Sequence, residues 1–273
     1  MSPKTITIGK KEFGLGCLKP DPTFVSSVPV FGDRVETLDR KTLERLAKSP
    51  VATGRTLFSS SWIMNQGKYG SCNGWSAASA LRRARRRCGH KDAVLSGTYV
   101  YSLINGNRDN GSMLDDGMRV ITEQGVATVD RVSPSQIYRK QYNTAAADRE
   151  ASRFKALECY RLEMIDELWT ALALGWDCVV VVHANSSFSK LNSKGIAGYS
   201  RGMGNHAVGA DGLLWVGGEI VADGWNHWGL QYGDMGRMFL TYRHFEETIG
   251  VHSFYAIRSA TDDGDERPPR PIR

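Results

Sequence analysis

Residues 65–80 have the sequence NQGKYGSCNGWSAASA, and this stretch decides how the rest of the chain is interpreted. A glycine-rich turn leads into Cys72, and small or apolar residues continue beyond it at helical spacing. Apolar positions recur at i, i+4, i+7 and i+11, namely Ala77, Leu81, Ala84 and Cys88. Such a stripe is typical of one buried face of a helix. The pattern predicts a helix of roughly four turns with Cys72 on its first turn.

The predicted position of Cys72 affects the chemistry of its thiol. Unpaired amides and the positive end of the helix dipole favour a thiolate, which lowers the pKa of the thiol and makes the sulfur nucleophilic. An isolated cysteine is more often a small buried core residue. A nucleophile also needs a base, a group that orients the base and donors for an oxyanion. The interpretation of Cys72 therefore depends on whether the chain supplies these groups.

Three residues supply the missing groups. His206 lies in GNHAVGADGLLW, between a glycine-rich loop and an apolar run typical of a strand, 134 residues after Cys72. Asn226 follows twenty residues later. Cysteine proteases of the papain type place their histidine and asparagine about 130 to 150 residues after the nucleophile, and Asn226 lies slightly beyond that range. Gln66 precedes Cys72 by six residues, so its amide and the Cys72 N–H can form an oxyanion hole.

Four segments, in order, resemble motifs of the papain family of cysteine peptidases. They are QGKYGSC at 66–72, LSGTYVYSL at 95–103, NGSMLDDGMRVITEQGV at 110–126, and HAVGADG with NHWGLQYGDMG at 206–236. The order and spacing agree over residues 62–258. The resemblance implies an α+β fold with two lobes: a helical lobe that carries Cys72 and a β-barrel-like lobe that carries His206 and Asn226. The active site is then expected in the groove between the lobes.

The resemblance also implies roles for individual residues. The catalytic residues would be Gln66, Cys72, His206 and Asn226. The substrate-binding residues would be Asn110, Gly111, Ser112, Ala207 and Trp228. Trp228 would also shield the bond between the histidine and the asparagine from water. The implied reaction is hydrolysis of a peptide bond through a thioester, with a peptide or protein substrate and no cofactor. Met113, Ala207 and residues near Val182 are candidates for the specificity pocket.

The chain departs from the family pattern beside the nucleophile. Asn73 and Gly74 stand where the family has Trp and Ala, and glycine weakens a helix interior by about 1 kcal/mol relative to alanine. Three other departures are Ser112 for the second glycine of Asn-Gly-Gly, His227 for a serine, and Tyr69 for the cysteine that forms a disulfide in secreted relatives. None of these changes removes a catalytic group. The alternative function is a structural protein, such as a virion component, that retains the fold for docking.

Composition narrows the class of protein. The 273 residues, 41% of them hydrophobic, suffice for one sizeable domain or two lobes with a real core. Five scattered cysteines are too few for a disulfide framework. No apolar run approaches the roughly 18 residues that span a membrane, and residues 1–11 lack the apolar core of a signal peptide. We therefore expect no membrane contact and a cytoplasmic or virion-associated location.

The chain is basic, with a formal net charge of +6. Its most basic stretch lies in the last turns of the predicted Cys72 helix and comprises Arg82, Arg83, Arg85, Arg86 and Arg87. Cations complement the negative end of a helix dipole, so we expect a solvated helix face there and no nucleic-acid contact. Cys88 and His90 form an isolated pair, which is too little for a metal site, and no metal is expected.

The sequence divides into three parts. We predict an N-terminal extension over residues 1–50, a papain-like domain over 51–259, and a flexible tail over 260–273. Within the domain, the helical lobe would cover about 62–135 and the β-rich lobe about 136–259. The tail is expected to be unstructured or to act as a docking peptide.

The sequence leaves several interpretations of the N-terminal extension open. Residues 5–8 alternate like a short strand, Gly14 and Gly16 should break regular structure, and 39–48 should form an amphipathic helix. The whole segment is interpreted as a strap on the outside of the fold, a short inhibitory segment over the cleft, or a docking arm for another protein.

In the second half of the chain, the sequence pattern predicts mainly strands. Strands are predicted at 178–184, 238–242 and 252–258, with a hairpin at Gly217 and Gly218. Helices are predicted at 145–157 and at 166–174, the latter with Asp166 as its N-cap.

Overall fold

We describe residues 4–20, 28–49, 54–136 and 139–261 of a computed structural model of the chain. The helices are α1 (Arg40–Lys48), α2 (Gly54–Leu57), α3 (Cys72–Arg87), α4 (Gly97–Ile104), α5 (Leu114–Arg119), α6 (Ala145–Ala151) and α7 (Ile165–Ala173). A π-helical turn at Val120–Gln124 extends α5, and short 3-10 turns lie at Ser60–Trp62, Lys140–Tyr142 and Tyr242–His244. None of the helices described is long and apolar enough to cross a membrane.

The strands form three sheets. They are β1 (Lys4–Ile8), β2 (Lys11–Leu15), β3 (Cys17–Leu18), β4 (Ser112–Met113), β5 (Lys155–Leu162), β6 (Asp177–Val182), β7 (His206–Val216), β8 (Glu219–Trp225), β9 (Arg237–Thr241) and β10 (Phe254–Thr261). Six of them pair antiparallel in the order β5-β10-β6-β7-β8-β9. The strands β1 and β2 form a separate hairpin, and β3 pairs in parallel with β4.

The large sheet is open. Among the residues described, β5 and β9 are its two edges, so the expected barrel-like lobe is a curved sheet that does not close into a barrel. The predicted hairpin between β7 and β8 is confirmed: Gly217 and Gly218 have φ values of +66° and +98°, which glycine adopts without strain.

Helix α3 lies against this sheet and carries the predicted buried stripe. Its sixteen residues make slightly over four turns, as expected from the spacing. Gly74 lets α3 approach α4 closely, because a Cβ there would lie 2.4 Å from the carbonyl oxygen of Gly97. The expected loosening of the helix start is therefore not seen, since the missing side chain allows close packing.

The arginines of α3 correct the prediction of a solvated face. Arg82, Arg83 and Arg85 are buried, Arg87 is half-buried, and of the five arginines only Arg86 is exposed. The Arg83 guanidinium lies 2.8 Å from the Asp211 carboxylate of β7 and 4.5 Å from the Trp225 ring centroid. A helical periodicity could not anticipate this burial, because the compensating carboxylates are contributed by distant strands.

Two further ion pairs extend this contact, one between α3 and the sheet and one within the sheet. Arg87 lies 2.9 Å from Asp177 at the start of β6, and Arg237 of β9 binds the other oxygen of Asp211. Burial lowers the pKa of Arg83 to about 10, although Asp211 acts in the opposite direction. Charges of both signs thus fix the helix against the strands that carry the predicted base.

Three local predictions are wrong. Residues 155–162 form β5, whereas helix was predicted as far as 157. The N-cap of α7 is Met164, because the Glu167 carboxylate accepts hydrogen bonds from the N–H groups of Glu163 and Met164 and so takes over the capping of this end. The tail begins later than predicted, because β10 continues to Thr261; the remaining residues of the predicted tail, 262–273, lie outside those described.

The N-terminal extension has two parts. The first, which we call the cleft segment, is residues 11–18 and comprises β2, β3 and the residue between them. The second, which we call the strap, is residues 28–48. It pairs with the edge of β5 at Val30 and ends in α1, which packs against β7. Gly14 and Gly16 do not end regular structure, because the glycines let an extended chain run close to another backbone.

Candidate active site

The four predicted catalytic residues lie at the junction of α3 and the large sheet. Cys72 begins α3, His206 begins β7, and Asn226 directly follows β8. Gln66 is held in the preceding turn by a 2.8 Å hydrogen bond from its backbone N–H to the carbonyl of His227. The Cys72 thiol is within hydrogen-bonding reach of the backbone of Ala207, next to His206. All four side chains are buried.

The imidazole of His206 is held on one side only. Its Nε2 lies 2.9 Å from Oδ1 of Asn226, and the same oxygen accepts a 2.7 Å hydrogen bond from the His227 N–H. The ring of Trp228 stacks on the imidazole with centroids 4.6 Å apart and an interplanar angle of 25°. Nδ1 of His206 has no hydrogen-bond partner among the residues described. It is the nitrogen that remains available for proton transfer.

The Cys72 thiol is not the low-pKa nucleophile that its place on the helix suggests. Burial raises the pKa of Cys72, while hydrogen bonds with the backbone of Ala207 and Gly16 act in the opposite direction. The side-chain contact of the sulfur is Oδ1 of Asn73, at 4.0 Å. Removing a thiolate from water is costly, so the helix N-terminus alone does not stabilise the charge in this covered site.

The imidazole of His206 is also neutral because it is buried. Burial lowers the pKa of His206 to about 4, although the hydrogen bond to Asn226 acts in the opposite direction. Burial likewise lowers the pKa of His227, which lies next to it. The thiol of Cys72 and the imidazole of His206 are therefore both neutral while the site is closed to water.

The side-chain amide of Gln66 is hydrogen-bonded to two backbone carbonyls. Its Nε2 donates to the carbonyl of Gly14 at 3.0 Å and to the carbonyl of Tyr69 at 2.9 Å. These two bonds use both N–H groups of the amide. The predicted oxyanion donor thus already binds two carbonyl oxygens. One of them, the carbonyl oxygen of Gly14, belongs to the cleft segment.

The cleft segment crosses the groove and contacts both lobes through its backbone. The carbonyl of Gly16 accepts a 2.9 Å hydrogen bond from the N–H of Ser112 on the helical side. The N–H of Cys17 donates to the carbonyl of Asn205 on the sheet side at 3.0 Å. The N–H of Gly14 donates to the carbonyl of Gly67 at 3.1 Å. An extended chain in this position covers Cys72 and His206 together.

Only glycine fits at two positions of this crossing. A Cβ on Gly14 would lie 2.0 Å from the carbonyl oxygen of Tyr69, and a Cβ on Gly16 would lie 2.0 Å from that of Gly70. Real Cβ atoms do not approach oxygen so closely, and the opposing atoms belong to the backbone, which cannot swing aside. Any other residue at either position would force the segment or the opposing backbone to shift.

The predicted substrate-binding residues line this groove to different degrees. Ser112 binds the cleft segment, Gly111 has φ +82° and approaches the Gly16 carbonyl, and Asn110 is exposed. Ala207 and Trp228 are buried. Of the other candidates for the specificity pocket, Met113 pairs with Leu18, and Val182 pairs with His206 across the sheet.

Several residues of the groove were not foreseen. Asn73 donates from Nδ2 to the carbonyl of Ser112 and, at 3.1 Å, to its hydroxyl, so it braces the wall that receives the cleft segment. Gly14, Gly16 and Asn205 were also missed. Two glycines spaced by one residue and flanked by alternating apolar side chains (Phe13, Leu15, Cys17) were a usable signal for an extended chain in a narrow groove.

The residues described contain no group of three His, Cys, Asp or Glu side chains that could hold a metal ion. The polar groups of the groove are instead a thiol, an imidazole and amides. These groups suit nucleophilic attack and proton transfer.

A helical lobe that presents a thiol at a helix N-terminus, joined to a sheet that presents an imidazole and an amide, is the architecture of papain-like cysteine proteases, and the chain has that fold. No protein-family model and no curated protein sequence matches it. Among solved structures, xylellain, a cysteine protease from Xylella fastidiosa, is similar with a TM-score of 0.67 and 21% identity over 93% of this chain and 99% of that one.

Two other solved structures have the same fold. The procathepsin B S9 of Trypanosoma congolense has a TM-score of 0.63 and 16% identity, with 89% of this chain and 85% of that one covered. The bromelain protease from Ananas comosus has a TM-score of 0.59 and 20% identity, with 73% of this chain and 92% of that one covered.

Proposed function

We propose that the chain is a cysteine peptidase that hydrolyses peptide bonds with Cys72 as nucleophile and His206 as base. One observation carries the proposal. A thiol at a helix N-terminus and an imidazole oriented by an amide lie in one groove, and Nδ1 of that imidazole has no hydrogen-bond partner in the described part of the chain. A protein kept for its architecture alone would have no need for this combination. The alternative of a structural protein has no comparable contact in its favour.

The proposed reaction follows from the positions of these groups. His206 takes the proton of the Cys72 thiol at Nδ1, and the sulfur attacks the substrate carbonyl carbon. The oxygen that becomes negative is stabilised by the Gln66 amide and the Cys72 N–H. His206 then protonates the leaving amine, which gives a thioester, and water hydrolyses the thioester with His206 again as base. Asn226 keeps Nε2 bonded and so leaves Nδ1 directed to the thiol.

We also infer that the resting chain is latent and that the cleft segment is its inhibitor. The carbonyl of Gly14 occupies the Gln66 amide, which a substrate would need. Both reacting groups are buried and neutral while the segment is in place. The inhibitory interpretation of the extension therefore applies to residues 11–18, and the strap interpretation to residues 28–48. Release of the segment admits water and substrate and restores the ordinary ionisation of the pair.

The test compares the full-length chain with its Cys72→Ala variant in reducing buffer. Because the resting chain is inferred to be latent, both proteins also carry Gly16→Ala, and we expect the one with Cys72 to cleave members of a diverse peptide pool and the one with Cys72→Ala to cleave none. An epoxide or vinyl-sulfone inhibitor should form one covalent adduct, which mass spectrometry should locate on Cys72.

Cys88→Ser serves as the matched control, because Cys88 is half-buried at the other end of α3. It should retain both the cleavage and the adduct. A folded chain that neither cleaves the pool nor forms the adduct, even with Gly16→Ala to displace the cleft segment, would favour the structural protein.

A further inference from the structure

The side chain of Cys17 fills a pocket at the place where the cleft segment bridges the two lobes. Cys17 is 6% exposed, whereas the next residue, Leu18, is 45% exposed. The peptide bond between Gly16 and Cys17 is fixed on both sides, by Ser112 and by Asn205. A chain bound here in place of the segment would use the same backbone groups and would direct one side chain into the same pocket.

The pocket of Cys17 has polar walls. The thiol donates to the carbonyl of Leu18 at 3.9 Å. Burial raises the pKa of Cys17, and the nearby Asp115 acts in the same direction, whereas the nearby side chain of Asn73 lowers it. His252 lies close by, since a Cβ on Gly204, next to Asn205, would lie 2.9 Å from its Nε2.

Two groups in this pocket have incomplete bonding: Nδ1 of His252 is buried without a hydrogen-bond partner among the residues described, and Asp115 lacks one donor. Asp115 is 3% exposed, and Oδ1 accepts a 2.6 Å hydrogen bond from the hydroxyl of Tyr255. Oδ2 is buried and has no hydrogen-bond partner among the residues described. A buried carboxylate oxygen without a donor is costly, and native proteins rarely leave one without a function. The thiol of Cys17 is a weak donor and does not supply the missing bond.

Resting on the proposed peptidase function, we propose that Asp115 determines specificity: its free Oδ2 accepts a hydrogen bond from a hydroxyl or amino group on the substrate side chain that replaces Cys17. A serine, threonine, lysine or arginine side chain brings such a donor. An apolar side chain of similar size would leave the carboxylate oxygen desolvated and unpaired. Sites built to bond a polar substrate group reject analogues that lack it, by about tenfold or more for one such bond.

The direct test is a peptide library in which each position on either side of the cleaved bond is varied. The enzyme is the full-length chain with Gly16→Ala, which displaces the cleft segment, alone or combined with Asp115→Asn. We expect one position to prefer donor side chains over valine and leucine by about tenfold or more in kcat/KM. Asp115→Asn should abolish that preference but still cleave the pool. The library also separates a neutral hydroxyl from a cation as the preferred donor.

An active enzyme with no donor preference, or one whose preference survives Asp115→Asn, would overturn the role of Asp115 and leave the peptidase proposal intact. Loss of all cleavage in the parent enzyme would instead contradict the peptidase proposal. The two failures are therefore distinguishable.

A second test needs no peptidase activity, because the cleft segment itself can carry the donor. Cys17→Ser places a hydroxyl over Asp115, and Cys17→Ala places none. We expect the serine variant to hold the segment more tightly, so that Cys72 is alkylated several-fold more slowly than in the alanine variant. The difference should vanish when Asp115→Asn is added, and Leu18→Ser against Leu18→Ala, at an exposed position, should show no difference. Equal rates for Cys17→Ser and Cys17→Ala would refute the proposal even if Asp115→Asn failed to fold.

Discussion

The cleft segment and the strap belong to the same N-terminal extension but are held by different balances of the same forces. The cleft segment is short and is fixed mainly by backbone hydrogen bonds through Gly14, Gly16 and Cys17, with no room for a Cβ at the two glycines, although the side chains of Phe13 and Leu15 are buried. The longer strap is paired with β5 through the backbone of Phe31 and is fixed mainly by buried apolar side chains. Phe31 is fully buried and lies edge-on to the ring of Trp176, with centroids 5.4 Å apart.

This difference explains how one extension can stabilise the fold through the strap and still let the active site open when the cleft segment moves. Burial of apolar side chains stabilises in proportion to the area removed from water, and that contribution is lost only on unfolding. Backbone hydrogen bonds exchange with water at a small net cost, because the groups released are solvated. We therefore expect the cleft segment to open locally while the strap remains bound, and the predictions below separate the two.

The largest effect should come from the strap. Phe31→Ala removes a fully buried aromatic side chain that packs against β5 and Trp176. We expect the free energy of unfolding to fall by about 3–5 kcal/mol, as measured by urea denaturation. Alkylation of Cys72 under native conditions should change little. A large increase in that rate without a loss of stability would mean that the strap controls access to the cleft.

The cleft segment should respond in the opposite way. Gly16→Ala places a Cβ where only 2.0 Å separates it from the Gly70 carbonyl oxygen, so we expect the segment to leave the groove. We expect the rate of Cys72 alkylation to rise on the order of 10²-fold, which corresponds to about 2.7 kcal/mol, with a small change in Tm. Iodoacetamide labelling followed by peptide mapping measures the rate.

Gly9→Asn is the control for that experiment. Gly9 has φ +63° in the same extension, and no atom lies within 4 Å of its virtual Cβ. Asparagine tolerates this backbone conformation, so the turn between β1 and β2 should survive. Labelling of Cys72 should stay at the wild-type rate, and an equal acceleration in both variants would show that the steric argument for Gly16 is wrong.

The opening of the segment should also depend on pH. Burial lowers the pKa of His206 to about 4, below the ordinary value of about 6.5 that it should regain in the open site. The open state therefore binds a proton first as pH falls from about 6.5 towards 4, and the covered state loses relative stability over that window. Between pH 7 and pH 5.5 the open fraction should rise roughly tenfold.

Hydrogen exchange of the Gly14 and Cys17 amides in a Cys72→Ala background measures this opening. His206→Gln cannot take up the proton, and His227 remains as the titratable neighbour in both proteins. The ratio of exchange rates between the two proteins at each pH isolates the contribution of His206. A ratio that is constant from pH 7 to pH 5.5 would exclude the linkage.

Much of the fold was predictable, and so was the region where the proposed site residues meet, because both are encoded locally or in ordered motifs. The α3 stripe, the hairpin at Gly217 and Gly218 and the buried run of β6 each follow from a short pattern. His206 and Asn226 were found because their spacing from Cys72 matches a family motif. The structure brings these residues to one groove, where His206 is bonded to Asn226.

What the sequence did not reveal depends on contacts between distant residues. The burial of Arg83 requires Asp211, which is 128 residues away, and no helical periodicity reports that pairing. Gly14 and Gly16 resemble turn residues until the carbonyl groups of residues 69 and 70 are placed against them. The neutral state of Cys72 depends on the same covering, because the local helix dipole favours a thiolate and only burial reverses that preference.

The smallest predicted effect sharpens the account of the strap at its C-terminal end. Asp39 caps α1, because its carboxylate accepts hydrogen bonds from the N–H of Thr42 at 3.0 Å and from its hydroxyl at 2.7 Å. Arg40 forms an exposed ion pair with Glu44 at 2.9 Å on the same helix. A cap satisfies an otherwise unpaired helix N–H, whereas an exposed ion pair is screened by solvent. In thermal denaturation, Asp39→Ala should therefore lower the Tm by about 2–4 °C, and Arg40→Ala should leave the Tm unchanged. A larger loss for Arg40→Ala would show that charge pairing, and not capping and apolar burial, holds α1 in place.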